Sequence, residues 1–299
     1  MIHPVRRTLA GAALAGATCV AYGTLVERRW YRLSRLRLEG VLRRPGGLLR
    51  LLHVTDLHLV PGQAHRVAFL HELADLDHDL VVATGDLLGG PDAEELAAAA
   101  LAPLTTRGQP GLVVLGSNDM FGPVMKAPWS YLTAPDRRTP GVPLDTDRLV
   151  DRLAAHGYRT LRSEVARVET AGGSVLAGGF DDPHLDPSSL PPAALVTPPP
   201  DATADLHLGL VHAPYLGALD VLVAAGHDLL LAGHTHGGQV RLPGIGALVA
   251  NCDLPLDQAR GLSTHQGRPL HVSAGLGHSP YAPFRFACRP EATLLELTG

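Results

Sequence analysis

Aromatic residues make up only 4% of this 299-residue chain, and cysteine is scarcer still, with three. So few aromatics argue against a surface on which bases stack. Cys19, Cys252 and Cys288 lie far apart with no CxxC pair, which excludes a disulfide framework and a zinc–thiolate site. There is no excess of positive charge. Lys and Arg number 25 against 29 Asp and Glu, a formal net charge of −4, so a basic footprint for nucleic acid is missing. The remainder is globular in character, 45% hydrophobic and 18% charged, and its length suits one large domain or two small ones. Histidine is abundant, with 16 residues, and directs attention to metal.

Long apolar runs are also few. Arg6 and Arg7 precede Thr8–Val26, a charge-free stretch of Ala, Gly and Thr close to the ~20 residues that cross a bilayer as a helix. Residues 1–30 are therefore read as an uncleaved signal anchor with a basic flank, giving a single-pass membrane protein; a cleaved signal peptide is the alternative. Arg28, Arg29, Arg32, Arg35 and Arg37 would keep the main domain in the cytoplasm. Arg6–Arg7 instead resembles a twin-arginine export signal, so the side of the membrane stays open.

From residue 48 onward, apolar strands alternate with helical periodicity. Strands are expected at Leu48–Thr55, Asp79–Thr84, Gly111–Leu115, Asp205–Val211 and Asp228–Ala232, with helices at Arg66–Leu76, Ala93–Leu101, Asp147–His156 and Tyr215–Ala225. Short strands crowd the second half, among them Leu248–Ala250 and Thr293–Leu297, while 123–143 and 183–200 are Pro-rich loops. This pattern predicts an α/β fold: two packed mixed β-sheets, a β-sandwich, flanked by α-helices across residues 48–299.

The chemistry lies just past the strands. Asp56 and His58, Asp86, Asn118, His212, and His234 with His236 each follow an apolar run, and open α/β sheets bind ligands at the carboxyl ends of their strands. Taken singly, each residue has an ordinary structural explanation; five strand-end loops in one chain do not. Carboxylate, imidazole and amide oxygen suit two divalent ions such as Mn, Fe or Zn. With seven ligands for two ions one must bridge, and Asp86 is the natural choice. Two ions about 3.5–4 Å apart clamp phosphoryl oxygens and supply a bridging hydroxide.

These blocks resemble the calcineurin-like metallophosphoesterases, whose signature runs D-x-H, G-D, G-N-H-[DE], H, G-H-x-H. Here it stands as Asp56-Leu57-His58, Gly85-Asp86, a variant at Gly116–Asp119, His212 and Gly233-His234-Thr235-His236. Leu210–Tyr215 and the tail beginning at Gly275 are similar to the membrane-associated bacterial branch. The resemblance implies a metallophosphoesterase-like sandwich in which Asp56, His58, Asp86 and His236 hold one ion. Asp86, Asn118, His212 and His234 would hold the other.

The third block departs from the signature, reading Gly-Ser-Asn-Asp. Either Asn118 is the ligand, or Ser117 is and Asn118 takes the histidine's place. An amide oxygen ligates better than a neutral hydroxyl, which favours Asn118. Either way the family histidine that protonates the leaving oxygen is missing. Asp119 could serve as the acid only with a pKa raised from ~3.9. With His212, it is the residue expected to act in catalysis. His184 and His278 are alternative acids, and Arg285 and the pair Asp181-Asp182 are lesser candidates for contact with substrate.

The expected function is a phosphoesterase acting through a metal-bridging hydroxide on a phosphomonoester, phosphodiester or pyrophosphate. The anchor points to a phosphorylated small-molecule or lipid-linked substrate, not to nucleic acid. A catalytically weak metal-binding scaffold is the alternative, permitted by the missing histidine.

Overall fold

Neighbouring residues of the buried strands face different cores, and that alternation builds three layers of apolar packing. The computed structural model describes residues 2–125, 141–200 and 203–299. The strands are β1 Arg32–Leu38, β2 Leu48–Val54, β3 Leu80–Ala83, β4 Gly111–Val113, β5 Tyr158–Thr160, β6 Glu164–Thr170 and β7 Gly173–Gly179. They continue as β8 Leu206–Leu210, β9 Leu229–Ala232, the short hairpin β10 Arg241–Leu242 and β11 Gly246–Ala247, β12 Gly261–His265, β13 Arg268–Val272 and β14 Glu291–Thr298. The helices are α1 Ile2–Leu25, α2 Ala64–Leu73, α3 Glu94–Leu101, the single turn α4 Ser117–Met120, α5 Thr146–Ala155 and α6 Leu216–Ala224.

Two six-stranded mixed sheets carry the fold, ordered β1-β14-β2-β3-β4-β5 and β12-β13-β9-β8-β7-β6. Strands β2 to β5 run parallel, as do β7, β8, β9 and β13, so their carboxyl ends come out along common edges. Leu49, Leu51, Leu80 and Val82 pack between the sheets against Leu206, Leu208, Leu229 and Leu231. Leu52, Val54, Val81 and Ala83 face the other way, onto α2, α3 and α5. Leu230, Ala232, Leu270 and Val272 cover the outer face of the second sheet with α6. Strands buried on both faces read as continuous apolar runs, which makes them legible in the sequence.

The helices fit the faces they cover. In α3 the residues against the sheet are small, Ala97 and Ala98 with Leu101. In α5 the Asp145 side chain accepts the Arg148 backbone N–H, capping the first turn, while Leu149 and Leu153 turn inward.

Several expectations need correction. Among the described residues no helix is long and apolar enough to cross a membrane. The reading of the N-terminal stretch as a membrane helix, and of the chain as a single-pass membrane protein, is overturned. The physical reason is composition: Gly11, Gly16, Gly23, Thr18 and Thr24 leave α1 only mildly apolar. The basic run after it belongs partly to a strand. Arg32–Leu38 forms edge strand β1 beside β14, with Arg32 paired to Glu291, and charge on an edge strand discourages further pairing. No strand forms at Leu248–Ala250; the nearby pairing is Arg241–Leu242 with Gly246–Ala247. Of the Pro-rich stretch 123–143, residues 126–140 lie outside the described residues.

The end of α1 and the turn Glu27–Arg29 join the C-terminal tail. Glu27 is buried and its carboxylate accepts the backbone N–H groups of Ala287 and Cys288. Tyr22 meets Phe286 edge to face, and Arg289 lies 4.1 Å above the Trp30 ring.

Candidate metal centre

The loops that follow β2, β3, β4, β8 and β9 meet at one edge of the sandwich. Two of them run side by side: Asp56 N–H donates to the Gly85 carbonyl and His58 N–H to the Asp86 carbonyl, each at 2.9 Å. Asp56, His58, Asp86, His234 and His236 all have positive φ, between 42° and 68°. Non-glycine residues rarely adopt this conformation, and such strain of order 1–3 kcal/mol per residue gathers at functional sites. Gly116 makes the third loop possible, because a Cβ there would fall on the Asp86 carboxylate.

Two overlapping groups of ligand atoms lie within 4.8 Å of one another: Asp56, His58 and His236, and Asp56, Asp86 and His212. His58 Nε2 sits 3.1 Å from His236 Nε2 and 3.5 Å from Asp86 Oδ2, and His236 Nε2 is 3.5 Å from Asp56 Oδ1. His212 Nε2 lies 3.4 Å from Asp86 Oδ2 and, among the described residues, has no hydrogen-bond partner. Asn118 donates its backbone N–H to Asp86 Oδ1 at 2.9 Å, and its side-chain amide is 2.7 Å from Asp86 Oδ2. Asn118 is thus in direct contact with the carboxylate expected to bridge.

The far nitrogen of three imidazoles is held by a backbone carbonyl. His212 Nδ1 is 2.6 Å from Thr84 O, His236 Nδ1 is 3.3 Å from Gly277 O, and His234 Nε2 is 3.1 Å from Asn251 O. A carbonyl accepts only from a protonated nitrogen, so in the neutral ring the opposite nitrogen carries the lone pair that a metal needs. His234 therefore offers Nδ1, while its backbone N–H donates to the Asp56 carboxylate at 3.1 Å.

Electrostatics fit a cation. Burial raises the Asp56 carboxyl to about 7. Burial also acts against charge on Asp86 and His212, but each overcomes it through the other. Asp86 is held well below the carboxylate range by His212, and His212 well above the imidazole range by Asp86 and Asp182. A divalent ion between them would take the place of the positive charge that His212 presents to Asp86. Burial lowers His58 to about 4 and puts His236 well below its ordinary value, so both stay neutral and able to ligate. The donor set, its spacing and the tautomers together suit two divalent ions.

The other candidates fall into different places. Asp119 is fully buried, and its carboxylate accepts three backbone N–H groups, from Gly116 at 2.9 Å, Leu87 at 2.7 Å and Leu88 at 3.0 Å. Burial, then Asp86, raise its carboxyl to about 7. Asp182 accepts from the backbone N–H groups of Ser117 and His184, whereas Asp181 pairs with Arg162 at the surface. The His184 ring lies 4.4 Å from that of His234, and its Nδ1 is 2.9 Å from Tyr215 Oη. His278 sits 3.3 Å from Arg28 Nη1, and burial lowers its pKa to about 3.

Two buried guanidinium groups stand behind the ligands. The sequence suggests that Arg285 reaches substrate, but it is fully buried and donates to backbone carbonyls. Arg66 escapes the sequence reading; it donates to the carbonyls of Leu57 and His58. A signal is present, since Arg66 stands at helical spacing with Leu70 and Leu73 on the buried face of α2.

Residues 49–238 match the family profile described as calcineurin-like phosphoesterase. The chain belongs to that family. It is accordingly a metal-dependent phosphoric ester hydrolase with an α/β metallophosphoesterase fold. A Bacillus subtilis (strain 168) protein described as an uncharacterized metallophosphoesterase, YkoQ, is 29% identical over 252 residues, 83% of each chain. The Escherichia coli (strain K12) phosphodiesterase YaeI is 40% identical over 104 residues, 33% of this chain and 36% of that one. Among solved structures, TT1561 of Thermus thermophilus is similar at 13% identity over 77% of this chain and 90% of that one, with a TM-score of 0.43.

Proposed function

We propose that this metallophosphoesterase hydrolyses phosphodiesters and other phosphoesters with good leaving groups at a two-ion centre. Asp56, His58, Asp86 and His236 hold one ion; Asp86, Asn118, His212 and His234 hold the second. The observation that carries the reading is the convergence of five Asp and His side chains, in two overlapping groups with ligand atoms within 4.8 Å, at strand ends from both sheets. Two bound divalent ions supply an activated water and neutralise charge on the phosphoryl oxygens. The chain's own groups do the rest. Asp86 Oδ2 lies within 3.5 Å of His58 and of His212, one from each subsite, and so spans the two. Thr84, Gly277 and Asn251 fix the imidazole tautomers, and Asn118 steers Asp86 through its backbone N–H.

The preference for good leaving groups follows from what surrounds the centre. Both Asp119 oxygens are engaged by backbone N–H groups pointing at them, and His278 is turned to Arg28. We assign Asp119 to positioning: it ties the Asp86 loop to the Asn118 loop. His184 Nδ1 is held 2.9 Å from Tyr215 Oη, and without a histidine in the third block departure of the leaving oxygen depends on its own acidity. The relative named a phosphodiesterase supports the choice of diesters. The lipid-linked substrate rested on the anchor and is not retained.

The test is hydrolysis of aryl phosphodiesters of graded leaving-group acidity with added manganese. Turnover that rises steeply with leaving-group acidity and vanishes in Asp86→Ala is the expected result. Two ions bound without turnover on any ester would overturn it in favour of a scaffold.

A further inference from the structure

Arg285 is a cation with no exposure to solvent, and among the described residues it makes no ion pair. Burying an unpaired charge is costly, so such a residue needs a compensating set of acceptors. Arg285 has one made of main chain. Nε and Nη2 donate to the Gly277 carbonyl at 3.1 and 2.6 Å, Nη2 also to those of Ala274 at 2.8 Å and Gly275 at 3.2 Å, and Nη1 to that of Cys288 at 3.3 Å. A planar fork with five donors can draw a loop together in this way, whereas a lysine ammonium is a point charge.

The loop so gathered touches the metal centre twice. The Gly277 carbonyl that takes two Arg285 donors also accepts from His236 Nδ1 at 3.3 Å, and Arg285 Nη2 itself lies 3.4 Å from that nitrogen. Gly277 N–H donates to the Asp56 carbonyl. A side chain at position 277 would fall on the carbonyl oxygens of Asp56 and Leu57, so the loop lies flat against the first ligand. One residue, Gly277, thereby touches Asp56 through its N–H and the His236 ring through its carbonyl, and Arg285 holds that carbonyl.

We propose that Arg285 is a positioning residue for the Asp56–His236 subsite, acting through Gly277 and not through substrate. The inference rests on the two-ion reading and adds a device to one half of it. Partners one shell beyond the ligands are worth about 10–100-fold in metal affinity. Loss of the Arg285 fork is expected to weaken one ion by that factor and to spare the ion at His212.

The experiment is a manganese titration of the full chain, resolving two dissociation constants, for wild type, Arg285→Lys, Arg285→Gln, His236→Gln and the double variant Arg285→Lys/His236→Gln. Thermal melts without metal run alongside. The expected result is a loss of about tenfold or more at one ion in both Arg285 variants, the other ion within about twofold of wild type. His236→Gln should lose the same ion, and the double variant should lose no more than His236→Gln alone, because the two act as a unit. Two ions bound with unchanged constants in Arg285→Lys would overturn this inference alone. Equal weakening of both ions, or failure of both Arg285 variants to fold, would overturn it by making Arg285 a residue of the fold at large. Fewer than two ions on wild type would overturn the two-ion reading and this inference with it.

Discussion

His212 Nδ1 lies 2.6 Å from the Thr84 carbonyl, and this contact joins the two sheets at the metal centre. His212 follows β8 of one sheet, while Thr84 follows β3 of the other. The contact settles the tautomer and aims Nε2 at Asp86 Oδ2, 3.4 Å away. His212→Ala should lose one ion and reduce turnover by at least the roughly 10–100-fold typical of disturbing even a partner outside the ligand shell. Stoichiometry and kcat measured at saturating manganese check this; unchanged kcat with two ions would remove His212 from the centre.

Asp119 separates positioning from proton donation. Asp119→Asn preserves shape but cannot accept three backbone N–H groups, since its amide nitrogen only donates. We expect a loss of about 1–3 kcal/mol in stability from the unsatisfied groups. The ratio of rates on esters with good and poor leaving groups should not change. A selective loss on poor leaving groups, read from paired kinetics, would instead identify Asp119 as the acid.

The join between the two ends of the chain is also measurable. Glu27 accepts the backbone N–H groups of both Ala287 and Cys288, near Arg285. Glu27→Ala removes that acceptor and should cost about 1–3 kcal/mol, seen as a lower urea midpoint. A midpoint equal to wild type would show that water replaces the carboxylate.

Acid should act on His227, which lies away from the metal ligands. Burial lowers its pKa to about 4 in the folded state, and its Nε2 is 3.0 Å from the Val196 carbonyl. Its unfolded value is near ~6.5, so between that value and 4 the unfolded chain binds the extra proton. Its contribution is fully present above about 6.5 and is lost as pH falls toward 4. Without metal, Asp56 and Asp119 titrate with the opposite sign, each raised to about 7, so total stability hides the effect. The observable is the difference from His227→Gln, which retains a donor for Val196 but does not titrate. That variant should gain on wild type as pH drops from about 7 to about 5 in parallel thermal melts. A pH-independent difference would contradict the assignment.

The legible part of this protein is the part in which strand and ligand are adjacent in sequence. Apolar runs ending in Asp56, Asp86, His212 and His234 predict both the sandwich and the edge where the residues meet, because parallel strands align their ends. What depends on distant pairing is not legible. β1 is held by β14, from the opposite end of the chain, and its arginines look like the flank of an anchor until Glu291 stands opposite Arg32. Arg66 and Arg285 bond to main-chain carbonyls, which leave no mark in residue identity. In α1 the mild hydropathy set by its glycines and threonines outweighs its length.

The central claim is a two-ion centre built on Asp86 with Asn118 as a ligand. Elemental analysis of the purified full chain beside Asn118→Ala tests it most directly. Two ions per chain, falling toward one in the variant, is the result predicted here. Two ions in both proteins would remove Asn118 from the ligand set, and one ion or none in the parent would contradict the two-ion centre itself.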